Sequence, residues 1–177
     1  MQQAPTFFIS GTIQGSRRGT GGVDQGYRSA LQELIRRHYP DAIIHCPLEV
    51  LRRRFAANLD QALAAYERET AAETLYGDRF SPLVSEVRAA FIDLITLASE
   101  ADVLIAYLPG HEASMGTAME MWSAFSRGRV IITISSMAQN LAIVSTSTVV
   151  LPSVELFDHF LAGGSLKDLM ARNRGQA

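Results

Sequence analysis

The stretch Leu108-Pro-Gly-His-Glu-Ala-Ser-Met-Gly-Thr-Ala-Met-Glu120 runs from the end of an apolar, strand-like segment into a helical pattern that carries a carboxylate in its second turn. If Ser114 caps that helix, the amides of Gly116 and Thr117 point out of its start, where the helix dipole favours an anion such as a phosphate. Glu120 then lies on the same side as Gly116 and Thr117 by the i, i+3, i+4 rule, and the dipole would help keep it ionised. A carboxylate so placed could face C1′ of a nucleotide whose 5′-phosphate rests on the helix start, the position of a nucleophile. The same residues also make an ordinary helix start, because Ser is a common cap and Glu is common in early turns. Met115, Met119, Met121 and Trp122 read as packing residues, one of which could stack on a nucleobase.

A second chemistry-bearing stretch is Gly11-Thr-Ile-Gln-Gly15-Ser-Arg-Arg-Gly19-Thr-Gly-Gly22, with five glycines in twelve residues just before a helical pattern. Glycine permits positive φ and close backbone approach, so exposed N–H groups here could cradle an anion or a sugar, with Arg17 and Arg18 near it. A surface loop would look the same, and the spacing matches neither the dinucleotide fingerprint nor the P-loop. His45 ends another apolar run, a place where histidine also serves as a structural hydrogen-bonder. Arg52, Arg53 and Arg54 read as a charged helix face.

Five short apolar runs rich in β-branched and aromatic residues would position these loops: Thr6–Ser10, Ala42–Cys46, Val103–Leu108, Val130–Ser135 and Thr148–Leu151. The spacing between them predicts helices over Asp24–His38, from about Glu49 to near Ala72, over Pro82–Glu100 and Ser114–Arg127, and over Ser153–Arg172, the last as one helix or two pieces broken at Gly163–Gly164. Strands alternating with helices, most of them continuously apolar, indicate a parallel sheet covered on both faces. The expected fold is therefore α/β, a flavodoxin/Rossmann-like three-layer sandwich with a five-stranded parallel sheet, and residues 1–177 form a single domain. Ligands of such sheets bind beyond the carboxyl ends of the strands, where both loops lie.

Composition narrows the partners. Apolar residues make up 47% of the chain and charged residues 19%, and the net charge is −2 with both signs mixed, so no field of one sign is available to attract nucleic acid or anionic lipid. Cys46 is the one cysteine, which excludes an internal disulfide and a cysteine cluster for zinc. No apolar run approaches the roughly 20 residues of a membrane span, and the N-terminus lacks a basic segment before its apolar stretch. The reading is a cytoplasmic protein with no nucleic-acid or membrane partner.

Together, Phe7-Phe-Ile-Ser-Gly-Thr-Ile-Gln-Gly-Ser-Arg17, the Ala101–Ala106 strand and Ser114-x-Gly-x-x-x-Glu120 resemble the nucleoside 2-deoxyribosyltransferase superfamily, most of all its nucleoside 5′-monophosphate N-glycosidase branch. The resemblance covers roughly residues 6–135, with 49–80 poorly matched. It implies that Glu120 is the nucleophile at C1′, that Ser114 binds the 5′-phosphate beside Gly116, and that Gly11, Thr12, Ile13 and Gly15 hold sugar and phosphate, with Arg17 a further phosphate contact. It matches His45 to a histidine after the second strand, and Asp93 to an aspartate that helps activate the nucleophile or the leaving base. By periodicity Asp93 also falls opposite the apolar stripe of its helix, as a solvated aspartate would. The chain departs from the branch in having Phe8 where an aromatic hydroxyl is common and Gln14 where an arginine is common. The implied reaction is hydrolysis of a nucleotide's base–sugar bond, with a small-molecule nucleotide as substrate and no metal or cofactor. The resemblance also implies a homodimer or higher homo-oligomer whose neighbouring subunit completes the pocket, with Ser135, Ser136, Gln139 and Asn140 available for contacts. Alternatives are a nucleoside 2-deoxyribosyltransferase and a nucleotide-sensing module without turnover. Pro109-Gly110 with Gly116-Thr117-x-x-Glu120 also partly echoes the cytokinin-activating phosphoribohydrolases.

Overall fold

The structure of the chain is a computed structural model that describes residues 4–14, 24–112 and 114–174. The apolar runs form five parallel strands, β1 (Thr6–Gly11), β2 (Ile43–His45), β3 (Val103–Leu108), β4 (Val130–Ser135) and β5 (Val149–Leu151), in the order β2-β1-β3-β4-β5. β3 and β4 have the expected bounds; β1 extends one residue to Gly11, and β2 and β5 are shorter than their apolar runs.

Among the described residues, the strands are joined and covered by α1 (Gly26–His38), α2 (Pro47–Phe55), α3 (Leu59–Thr70), α4 (Pro82–Glu100), α5 (Met115–Ser126), α6 (Leu141–Thr146), α7 (Val154–Ala162) and α8 (Ser165–Arg174). Alternation along the strands splits the core in two. Phe7, Ile9, Val103, Ile105, Ile132 and Ile134 pack with Leu31 and Ile35 of α1, Phe157 of α7 and Leu166 of α8. Phe8, Leu104, Ala106 and Ile131, on the other face, pack with Leu94 and Ala98 of α4, Met121 and Ala124 of α5 and Ile143 of α6. The result is the three-layer, flavodoxin-like α/β fold. No helix among the described residues is long and apolar enough to cross a membrane.

α4 starts as its sequence indicates, with Pro82 in the first turn and the Ser81 hydroxyl accepting the Val84 amide at 3.3 Å. The expected helix from Glu49 to Ala72 is instead two helices separated by a 3-10 turn over Ala56–Asn58. Phe55 of α2 and Ala62 of α3 still pack together against Ala90 of α4 on either side of the break. The C-terminal helix divides at Gly163–Gly164, where Gly164 has φ +75°. α6 was not apparent in the apolar pattern; the Asn140 side chain caps it, accepting the amides of Ala142 and Ile143 at 3.0 and 3.3 Å.

Ala56 sits at the α2–α3 break with φ 44° and ψ −120°, a conformation that disfavours a Cβ, and it is the one non-glycine with positive φ among the described residues. Ala56→Gly should therefore raise stability by about 1 kcal/mol, read as a higher urea midpoint without a change in slope.

Candidate active site

The strand order places the first reversal of direction between β1 and β3, the strand pair whose carboxyl ends open a crevice in sheets of this kind. Ser10 lies opposite Ala106 and Gly11 opposite Tyr107 in the β1–β3 register. α5 starts from the loop after β3. Its cap is Ser114, whose hydroxyl oxygen accepts from the Thr117 amide at 3.3 Å and from the Thr117 hydroxyl at 3.0 Å. Thr117, Glu120, Met121 and Ala124 share the buried side of the helix. That geometry drives Glu120 against β1, where it is 6% exposed and its Oε2 accepts a short hydrogen bond from the Ser10 hydroxyl.

Burial pushes the Glu120 carboxyl up to about 7, against the lowering effects of the Ser10 hydrogen bond and the Arg28 charge. The loss of water outweighs these two groups that favour the anion. Arg28 of α1 is itself buried. Its guanidinium donates to the carbonyls of Ile9 at 2.7 Å and Gly11 at 3.0 Å, and to the Gln25 side chain at 2.7 Å. Gln25 in turn donates to the Thr12 carbonyl at 3.0 Å. A buried cation thus gathers the last carbonyls of β1.

Tyr27 covers the other side of the same strand end. Its ring stacks on Tyr107 at 4.5 Å, and its hydroxyl occupies the space a Cβ on residue 11 would need, so a side chain there would collide with it. The Tyr27 hydroxyl is buried without a hydrogen-bond partner among the described residues, and burial raises the phenol to about 12, opposed by Arg28.

The residues singled out in the sequence are distributed unevenly. Gly11 and Thr12 are buried at the end of β1 and Ile13 is half-buried just beyond; Gly15 and Arg17 lie outside the described residues. Ser114 is the cap, as expected. The Thr117 amide is consumed by that cap instead of pointing at a ligand. Gly116 faces the neighbouring helix, where a Cβ would meet the Phe91 ring at 3.4 Å. His45 pairs with Phe8, two residues short of Ser10; burial and Arg53 lower its pKa, while Glu100 raises it. Asp93 is on the exposed side of α4, where its carboxylate is held in an ion pair by Arg54, which also approaches Glu86 at 3.8 Å. The Asp93 side chain is 67% exposed, so it does not share the buried surroundings of Glu120. Ser10, Tyr27, Arg28 and Tyr107 gather at the end of β1, and the sequence reading passed over all four. Ser10 had the clearest signal, since it immediately precedes the glycine-rich stretch.

Met115, Met119 and Trp122 are exposed, and with Ile95 they line a groove between α4 and α5. At 100° per residue that groove is on the opposite side of α5 from Glu120. Met121 alone of the methionines around Glu120 is in the core. No group of three or more His, Cys, Asp or Glu side chains among the described residues could hold a metal ion.

No protein-family model matches the chain, and no curated protein matches it. Its fold is similar to that of a 2-deoxyribosyltransferase from the psychrotolerant bacterium Bacillus psychrosaccharolyticus, with a TM-score of 0.51 and 11% identity over 86% of this chain and 90% of that one. A CMP N-glycosidase of Clostridium botulinum is matched at a TM-score of 0.44 and 15% identity, over 89% of this chain and 97% of that one. A conserved protein of Enterococcus faecalis V583 is matched at 0.45 and 15%, over 99% and 100%. What this chain shares with the transferase is the fold, the same one the sequence motifs indicate.

Two outcomes follow from the buried carboxyl. Ser10→Ala removes a donor that favours the anion, so the Glu120 carboxyl should titrate above its parental value, followed by carbon-detected NMR. A carboxyl that titrates near 7 when folded and at its ordinary 4.5 when unfolded holds its proton more tightly in the native state. The cost of ionising it therefore grows as pH rises through that interval and is complete above about 7. Glu120→Gln should leave stability little changed near pH 4 and raise it by up to the order of 3 kcal/mol at pH 8, measured by denaturant unfolding at the two pH values.

Proposed function

We propose that this chain hydrolyses the N-glycosidic bond of a nucleoside or 2′-deoxynucleoside 5′-monophosphate, releasing free base and the sugar 5-phosphate, with Glu120 as nucleophile. The observation that carries this reading is the placement of Glu120: a buried carboxyl at the carboxyl ends of β1 and β3, bonded to the residue that precedes the glycine-rich stretch. The motif resemblance and a fold shared with a 2-deoxyribosyltransferase support it.

In this mechanism the ionised Glu120 attacks C1′ as the bond to the base breaks, through an oxocarbenium-like transition state, and water then releases the sugar from the carboxylate. Ser10 orients the attacking group, and Arg28 supplies positive charge that favours the anion. The Ser114 hydroxyl already accepts two hydrogen bonds, which leaves its own proton to donate to the 5′-phosphate. The start of α5, the Gly11–Gly15 stretch and Arg17 are assigned to the phosphate end, and His45 to the rim of the pocket. The departing base takes its proton from solvent, a role the exposed ion pair of Asp93 with Arg54 does not favour for that aspartate. No metal or cofactor takes part. The reading includes a cytoplasmic homodimer or higher homo-oligomer, which the exposed Met115, Met119 and Trp122 support as apolar surface available for burial.

Base release from a panel of monophosphates, followed by chromatography, should show hydrolysis without any acceptor base. A requirement for a second base would identify a transferase instead. kcat/KM should rise with pH and level off, with its midpoint near the Glu120 value of about 7, because only the ionised carboxylate attacks. Glu120→Ala should lower kcat by about a thousandfold or more; activity equal to the parent's would remove Glu120 from the mechanism.

A further inference from the structure

Two buried side-chain oxygens among the described residues have no hydrogen-bond partner, the hydroxyls of Tyr27 and Tyr39. Tyr39 packs against Phe7 in the core between the sheet and α1. Tyr27 is at the carboxyl end of β1, its oxygen over Gly11 and its ring on Tyr107, the residue paired with Gly11. Ser10 and Gly11 are consecutive strand residues, so they face opposite sides of the sheet. The Ser10–Glu120 pair therefore lies on the α5 side of the end of β1 and the Tyr27 hydroxyl on its α1 side. The Glu120 charge is among the influences on the Tyr27 phenol, which places the two groups within electrostatic reach of each other.

A buried hydroxyl without a partner costs free energy, and native proteins rarely leave one unmatched unless something else supplies the acceptor. The absence of a Cβ at residue 11 makes the room, and burial keeps the phenol protonated at any ordinary pH, so it can only be a neutral donor or acceptor. The phosphate of a nucleotide is already assigned to the start of α5. The part held beside Glu120 is the furanose, whose 2′- and 3′-hydroxyls can accept a hydrogen bond from such a donor.

We propose that Tyr27 donates its hydroxyl proton to a furanose hydroxyl of the bound nucleotide and is thereby a specificity-determining residue of this site. The proposal rests on the nucleotide reading given above. Tyr27→Phe removes one oxygen and keeps the ring on Tyr107.

The test pairs that change with substrates that lack one oxygen. The 5′-monophosphates of the four ribonucleosides, with their 2′-deoxy and 3′-deoxy counterparts, are titrated calorimetrically into Glu120→Gln and into Glu120→Gln with Tyr27→Phe. The same nucleotides are assayed for base release with the parent and with Tyr27→Phe. The expected result is that losing the Tyr27 oxygen weakens the ribonucleotide by about 10- to 100-fold but has little effect on the one analogue that lacks the accepted hydroxyl. The melting temperature should stay equal or rise. An equal loss on all three nucleotides, or no loss on any, overturns the proposal and leaves the hydrolase reading standing. A hydroxyl-dependent loss in binding with no base released by the parent sinks the hydrolase reading and leaves the Tyr27 contact standing. If none of the monophosphates binds, both fall.

Discussion

A carboxyl group held out of water by the strand it leans on is the constraint around which the rest of this end of the molecule is arranged. Removing a carboxylate from solvent is costly, and the protein limits that cost in two ways. A hydroxyl from β1 binds the carboxyl directly, and a buried guanidinium acts on it at longer range. Neither fully offsets the burial, so the group is left titrating near neutrality. The arrangement also ties three elements together: α5 carries the carboxyl, β1 supplies the hydroxyl, and α1 supplies the cation that holds the final carbonyls of β1. Losing any one would shift the position or ionisation of Glu120, although only one of them carries it.

For a proposed glycosidase the same tuning has a chemical use. A general or nucleophilic carboxyl works best when its pKa is close to the pH at which it operates, and a desolvated anion is a better nucleophile than a hydrated one. The site therefore relies on partial ionisation in a dry environment. This differs from the helix-dipole picture that the position of Glu120 in α5 first suggests. Dipole effects at a surface amount to about 0.3–1 kcal/mol, too little to hold a fully desolvated carboxylate ionised.

Much of the fold was legible because continuous apolar runs and amphipathic spacing are local signals. β3, β4 and α4 have the bounds their residues imply, and the Ser114 cap is readable from its position before Gly116 and Thr117. The failures came from interactions between distant residues. Nothing around Ala56 marks a break, since Phe55 and Ala62 are seven residues apart and keep the same-face spacing of one continuous helix. An arginine in the pattern of α1 reads as a solvent-facing residue, and only the carbonyls at the end of β1 make Arg28 a buried one. Asp93 shows the reverse. A match by sequence order placed it near the chemistry, but the helical period put it on the exposed face, and the period was the better guide. The burial of Glu120 was not legible, because depth depends on the strand its helix packs against and is not written in any one motif.

The close approach of the Tyr27 hydroxyl to Gly11 links two positions that are sixteen residues apart in the chain. An alanine at 11 would need a smaller residue at 27, and a smaller residue at 27 would remove the platform under Tyr107. Homologous chains should therefore inherit these two positions as a unit. Those that keep glycine at 11 are free to keep the tyrosine, and those that have lost it should have changed residue 27 in the same lineage.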